Sequence, residues 1–301
     1  MASISGVRRN DVTIAAVPAE RFTAAGHRIG IVGGTGGLGR ALAQFFASKG
    51  AQVTVVGQTF RDGGRSGIDF LKADLSLMAE ARRVGHQLPV EDFDTLVPTT
   101  GIISTPRRET TSEGLERDLA VSYLSRLEIV NTVASRIGIR RADTSKRARI
   151  FVMGFPGTGN AGVVDDLNSE KKYQMMEAHM NTVAGNEALV LDAAKKYPAV
   201  GVFGLNPGLI RTNIRPNALG GSDSLKFKLV ETLIGLVMMS PEKYAARFGP
   251  VILAPELDQL TGIHFNSKGR AIESSKQMTD GHVTALIAAS EALLRHAQRP
   301  A

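Results

Sequence analysis

A short apolar run, Arg28-Ile29-Gly30-Ile31-Val32, ends in Gly33-Gly34-Thr35-Gly36-Gly37-Leu38-Gly39, and a helical stretch follows from Arg40 to Lys49. A second β-branched run, Val53-Thr54-Val55-Val56, comes next. Strand, glycine turn, helix, strand is the opening of a βαβ unit, and it points to a fold built on parallel strands. The same turn makes an anion site. Without β-carbons at Gly33, Gly37 and Gly39, backbone amides can approach a pyrophosphate, and the helix N-terminus adds its dipole and unpaired N–H groups.

The alternation continues along the chain. The pattern predicts strands at Ile68 to Leu71, Thr95 to Val97 (ending at Pro98), Ala148 to Met153 and Val200 to Leu205. Helices are predicted from Leu75 to Gln87, Ser112 to Ile137 and Lys172 to Tyr197. Strands spaced by such helices imply an α/β fold: a single Rossmann-type, doubly wound parallel sheet with helices on both faces. Residues 1–26 read as an N-terminal extension, and 27–301 as one NAD(P)-binding domain. From Arg215 to Tyr244 the rhythm breaks at Pro216, Gly220-Gly221 and an apolar stretch from Phe227 to Met239. An inserted lid over about 213–245, a dimer face and plain core packing all fit that stretch.

Composition excludes several functions. With 301 residues, 43% hydrophobic and 22% charged, the chain can bury a large core and is not predominantly disordered. No run reaches the ~18 apolar residues of a membrane span. There is no cysteine, so thiolate catalysis, disulfides and Cys-type metal sites are excluded, and the six histidines form no HExxH pair. No metal is therefore expected. Lys and Arg exceed Asp and Glu by 36 − 29 = 7, spread in pairs such as Arg8-Arg9 and Arg140-Arg141, which reads as a solvated basic surface. No nucleic-acid motif is present. The first 26 residues lack a long apolar core, which argues against a secretory signal and leaves a cytoplasmic protein as the expectation.

Four landmarks, in order, carry a family resemblance. Gly33-Gly34-Thr35-Gly36-Gly37-Leu38-Gly39 resembles the glycine turn of the short-chain dehydrogenase/reductase family, and Asp74-Leu75 resembles its adenine-contacting Asp-Leu. Pro98-Thr99-Thr100-Gly101 stands where the family has Asn-Asn-Ala-Gly. Asn206-Pro207-Gly208-Leu209-Ile210-Arg211-Thr212 is similar to its PGxxxT segment, which implies that Thr212 touches the nicotinamide carboxamide, and Leu260 to Phe265 resembles its last strand. The resemblance implies a nicotinamide cofactor and a homodimer or homotetramer. At the end of the second strand stand Gly57-Gln58-Thr59, with no carboxylate to repel a 2′-phosphate, and Arg40 and Arg61 nearby could pair with one, so NADP(H) is expected.

The catalytic half departs from the family. Its acid/base tyrosine is followed four residues later by a lysine, but Tyr123, Tyr173, Tyr197 and Tyr244 have Leu127, Glu177, Gly201 and Phe248 there. Asp166-Leu167 through Tyr173 to Asn186 resembles the retinol-dehydrogenase branch, which places His179 at the tyrosine and Val183 at the lysine. A register shifted by four puts His179 at the lysine instead, with Met175 at the tyrosine. The serine position falls on Gly154 or Phe155, and Ser122 stands at the asparagine. His179, Ser122 and Tyr173 are the candidate catalytic residues, with Thr158 a further polar contact. Three readings remain open. One is an atypical NADPH-dependent oxidoreductase that reduces an apolar, lipophilic or iminium-type small molecule. Another is a redox-neutral isomerase or cyclase of natural-product (secondary) metabolism. The third is a catalytically silent NADP(H)-binding partner protein.

Overall fold

Eight strands form one sheet in the order β3-β2-β1-β4-β5-β6-β7-β8 in a computed structural model that describes residues 6–15, 17–103, 105–208 and 239–297. The strands are β1 Arg28–Val32, β2 Gln52–Gly57, β3 Ile68–Lys72, β4 Thr95–Pro98, β5 Ala148–Met153, β6 Val200–Leu205, β7 Ile263–Phe265 and β8 Ala271–Ile272. All neighbouring pairs are parallel except β7 with β8. The order reverses between β1 and β4, which is where a doubly wound sheet opens its binding crevice. Close by, β4 and β5 pair only at Thr95–Arg149 and Leu96–Ile150, then lose contact toward their carboxyl ends.

The helices among the described residues are α1 Gly37–Ser48, α2 Met78–Gln87, α3 Arg117–Leu119, α4 Ser125–Val133, α5 Met175–Lys196, α6 Pro241–Ile252 and α7 Asp280–Ala297. A π-helical turn, Ala120–Leu124, joins α3 to α4 without a break. Each face of the sheet has its own apolar core. One is built from α2, α4, α5 and α7, with Met78, Leu127, Leu189 and Leu286 buried in it. The other holds α1 and α6 against stacked rings, Phe151 on Phe203 at 4.8 Å and Tyr244 on Phe248 at 4.2 Å.

Three helices begin later than their apolar periodicity suggests, because nearby side chains compete for the first N–H groups. The Ser76 amide and hydroxyl bond the Asp74 carboxylate, and Glu113 accepts from the Met78 and Ala79 amides, so α2 starts at Met78. Glu116 accepts from the Leu119 amide and starts α3 after a turn closed by Thr111 and Leu115, rather than at Ser112. Asp166 captures the amides of Glu170, Lys171 and Lys172, and α5 waits until Met175.

The described part of the N-terminal segment packs on the domain. The Arg9 amide donates to Ala271 at 3.0 Å, the Glu273 amide to Val7 at 2.7 Å, and Val12 and Ala24 are buried. Of the segment read as a lid, 213–238 lies outside the described residues. Its end belongs to the core: Ser240 caps α6, and Tyr244 and Ala245 are buried. Strand β8 and helix α7 were not among the expected elements, although Val283, Leu286, Ile287 and Leu294, buried in α7, fall at helical spacing.

Candidate active site

The glycine turn closes on the end of β4. Gly33 has φ +87°, and a β-carbon there would lie 2.6 Å from the Thr100 amide nitrogen. One at Gly39 would lie 2.4 Å from both the Gly33 oxygen and Thr99 Oγ1. These contacts explain two of the three expected glycines by packing. Helix α1, opened by Gly37, has Gly36 as its N-cap, with no side-chain cap and no acidic residue in its first turn. Its N–H groups are thus left to an anion. The space above Gly36 is open, with Arg61 Nη1 the nearest atom at 3.9 Å from a β-carbon built there. Leu38 packs its side chain into the core on the α1 face.

The two arginines expected near a 2′-phosphate differ. Arg61 donates to the Thr35 carbonyl at 2.9 Å and lies over the turn, while Thr35 itself is buried against Gly57. Arg40 is already engaged: its Nε and Nη2 bond the Asp62 carboxylate at 2.9 and 2.8 Å, and Gln44 adds a bond at 2.7 Å. The Arg40 hydrogen bond holds the Asp62 carboxyl below its ordinary range against the opposing effect of burial. Asp62 was not anticipated, and it makes Arg40 a supporting residue of the loop.

Asp74 and Gln58 face one another. Burial alone would raise the Asp74 pKa, but hydrogen bonds from Ser76 and Gln58 hold it below the ordinary value. Leu75 beside it is buried. At the end of β4, Thr99 returns both its amide and its hydroxyl to the Val32 carbonyl at 2.7 and 2.9 Å. The neighbouring Thr100 hydroxyl, buried beside Gly33, has no partner among the described residues. Beyond β6, Gly208 takes φ +68° after Pro207, and its amide bonds Asn206 Oδ1 at 2.8 Å. Thr212 lies outside the described residues. An uncapped helix N-terminus, an open cradle and an unpaired hydroxyl together fit a dinucleotide along this edge.

The reacting half is built on one helical face and its neighbour. His179 Nδ1 lies 2.8 Å from Asp118 Oδ2, and the other Asp118 oxygen accepts from Ser122 Oγ at 2.5 Å. Ser122 Oγ in turn accepts from the Ile102 amide at 3.0 Å, just past Gly101. The Asp118 carboxylate is fully buried, whereas the His179 side chain is 23% exposed. Asp118, not His179, occupies the middle of the chain of contacts. The hydroxyl is therefore directed to a carboxylate, and a serine-nucleophile triad, which needs histidine on the hydroxyl, is not formed.

Two expected residues, His179 and Ser122, thus meet through a third, Asp118, that sequence reasoning missed. Arg126 was missed as well. Its Nη2 donates to the Thr100 carbonyl, and its Nη1 donates to Met153 and to Asn186 Oδ1. Asp118, Ser122 and Arg126 recur every four residues along the helix among buried apolar neighbours, and that period was the available signal. Tyr173 stands apart in role, donating its hydroxyl to the Thr105 carbonyl at 2.8 Å and so tying the segment after β4 to the approach to α5. Thr158 Oγ1 is buried with no partner. Val183, at the expected lysine position, is buried, and Gly154 sits against Asn186.

With this geometry established, known proteins can be compared. No protein-family model matches the sequence. An uncharacterized oxidoreductase of Saccharomyces cerevisiae, YKL107W, is 47% identical over 275 residues, covering 90% of this chain and 89% of the yeast protein. A short-chain dehydrogenase/reductase from Serratia marcescens superposes with a TM-score of 0.59 at 18% identity, over 83% of this chain and 99% of that one. Another, from Burkholderia multivorans with bound NADP, gives 0.55 at 19% identity, over 82% of this chain and 99% of that one. The last two are likenesses of fold. The chain belongs to the same oxidoreductase family as the yeast protein, and its fold is that of the short-chain dehydrogenases/reductases, which its sequence landmarks resemble in divergent form.

Proposed function

We propose that this protein is an NADP(H)-dependent reductase of an apolar carbonyl compound, with His179 as proton donor and Asp118 as the residue that orients it. The observation that carries the reading is the 2.8 Å contact between His179 Nδ1 and the buried Asp118 carboxylate. With Nδ1–H given to Asp118, Nε2 is the nitrogen left to exchange a proton with substrate, and histidine as a residue type titrates near neutrality.

The bound nicotinamide would supply hydride to the carbonyl carbon. The chain's own part is to protonate the oxygen: His179 Nε2–H gives its proton, the C=O bond becomes C–OH, and the neutral imidazole recovers a proton from solvent through its exposed edge. Ser122 holds Asp118 from the far side and anchors the Ile102 amide, fixing the carboxylate that fixes the imidazole. The helix N-terminus above Gly36 and the Arg61 guanidinium would take the phosphates, and Gln58 with Asp74 would flank the adenosine. A groove of about 380 Å³ runs along the start of the helix that bears His179; Ala161, Gly162, Val163, Met176 and Met180 line it together with Asn160, Glu177 and Asn181, and its mostly apolar wall supports a lipophilic substrate. Reduction of an iminium, which needs no proton at oxygen, would leave the Asp118–His179 pair without a task, so a carbonyl is the better match.

Calorimetric titration with NADPH, NADP⁺ and NADH tests the cofactor reading. Binding of NADPH at least tenfold tighter than NADH is expected, followed by NADPH consumption with apolar ketones or aldehydes. No binding of any of the three would sink the reductase reading and the NADP(H)-binding partner reading with it, and would leave the redox-neutral enzyme in their place.

A further inference from the structure

Arg126 is a buried cation whose three acceptors are all neutral. Its side chain rises from the helix just after the π-helical turn to the place where β4 and β5 separate, and it spans the gap by donating to Thr100 and Met153 at their carboxyl ends. Asn186 on α5 takes a third bond at 2.9 Å, while Nε is buried and unpartnered. Only 4% of the residue is exposed. A neutral group could bridge two carbonyls with a far smaller desolvation cost, so the charge calls for an explanation. The carboxylate that acts on it is Asp118, two turns back on the same helical face. A β-carbon on Gly101 would lie 3.4 Å from Arg126 Nη2 and 3.7 Å from Ser122 Oγ, which sets the guanidinium beside the Ser122–Asp118–His179 chain.

We propose that Arg126 is a positioning residue: it braces the parted ends of β4 and β5, and its charge sets the ionisation of the Asp118–His179 pair. The inference deepens the reductase reading and rests on it for its bearing on turnover. A cation at this place favours the Asp118 carboxylate over the carboxylic acid, and it also favours the neutral imidazole, so His179 gives up its proton more readily. Other titratable groups buried on the elements packed here are turned elsewhere. Glu116 caps α3, Glu187 accepts from Ser275 and Gly157, and Tyr123 bonds Ser290. Asp118 is the carboxylate that His179 meets on the helix packed against its own, and Arg126 acts on that carboxylate. Desolvation lowers the Arg126 pKa to about 9, which still leaves it charged at neutral pH.

The test is a pH titration of the histidine Cε1–H NMR signals of the full chain, with His179→Asn identifying the signal of His179. In Arg126→Met the His179 midpoint is expected to rise by about one unit, the scale on which a neighbouring charge moves a titration. A midpoint unmoved in a cooperatively folded Arg126→Met protein would overturn the proposal and leave Arg126 as a brace alone. Should that variant not fold, Arg126→Gln decides: its amide can still donate to a carbonyl of the gap while the charge is gone, and the His179 midpoint is again expected to rise. An unmoved midpoint in the glutamine variant overturns the proposal. Neither cofactor nor substrate enters the titration, so its failure is distinct from failure of the reductase reading, which rests on NADPH binding.

Discussion

At the scale of single residues, the proposed site relies on groups other than a tyrosine and a lysine. No tyrosine in the chain has a lysine four positions on, and those at 123 and 244 are buried in the core, bonded to Ser290 and to the Met153 sulfur. The polar groups gathered at the crevice are instead a histidine, an aspartate, a serine and an arginine. Replacing His179 with Asn keeps a side chain able to bond Asp118 but removes the titrating nitrogen. Turnover is expected to fall by about 10²–10⁴, the usual worth of a positioned acid, while NADPH affinity in the same preparation stays within about threefold of wild type. Loss of both together, in steady-state kinetics and calorimetry, would mean that His179 supports the fold rather than the chemistry. His179 and Ser122 were legible in the sequence because the motif of the family it resembles gave them positions to occupy. Asp118 and Arg126 were not, since the four-residue period that unites them carries no meaning until the helix is known to face the crevice.

At the scale of elements, the boundaries were the least legible part, and the reason is local competition for N–H groups. Helix α2 shows it best. Leu77 cannot cap it, and the two exposed amides at Met78 and Ala79 are taken by Glu113, reaching over from beside α3 at 2.6 and 3.1 Å. A cap supplied from 35 positions away has no local sequence signature. Glu113→Ala should cost about 0.5–2 kcal/mol, as other caps do, read as a lower urea midpoint at unchanged slope. Glu113→Gln should recover part of that loss through its side-chain oxygen. An alanine variant as stable as wild type would show that water serves these amides equally well. The π-helical turn is another such case: Ala120–Leu124 sets Ser122 into the crevice between Asp118 and Arg126, and nothing in those five residues announces a wider turn.

At the scale of the whole molecule, the sheet accepts a buried histidine at a cost that pH should reveal. His264 lies in β7 with no exposure and neither ring nitrogen partnered, packed so closely on β6 that a β-carbon at Gly204 would meet its Nδ1 at 2.2 Å. Burial lowers its pKa from 6.5 to about 4. The unfolded chain therefore takes up this proton as pH falls below 6.5, whereas the folded chain does not until about 4. Stability is complete above the higher value and declines as pH falls through that window, by on the order of 3 kcal/mol. His264→Leu removes the term, so its unfolding free energy should fall less between pH 7 and pH 4 than that of wild type, followed by urea denaturation. Parallel acid limbs for the two proteins would place the acid sensitivity elsewhere.

What the amino-acid sequence determined by itself is whatever depends on contiguous residues. The apolar runs and the glycine turn specify parallel strands, a doubly wound sheet and an anion-binding edge, because hydrophobic period, backbone freedom and helix dipole are properties of short segments. What only the tertiary structure decided is which distant groups meet. Asp62 takes up Arg40, which the sequence offered to a phosphate. Asp118 joins Ser122 to a histidine 61 positions away, and Arg126 reaches the parted ends of two strands. Hydrogen bonds and desolvation act over a few ångströms of space, so their partners are set by how helices pack on the sheet and not by order along the chain.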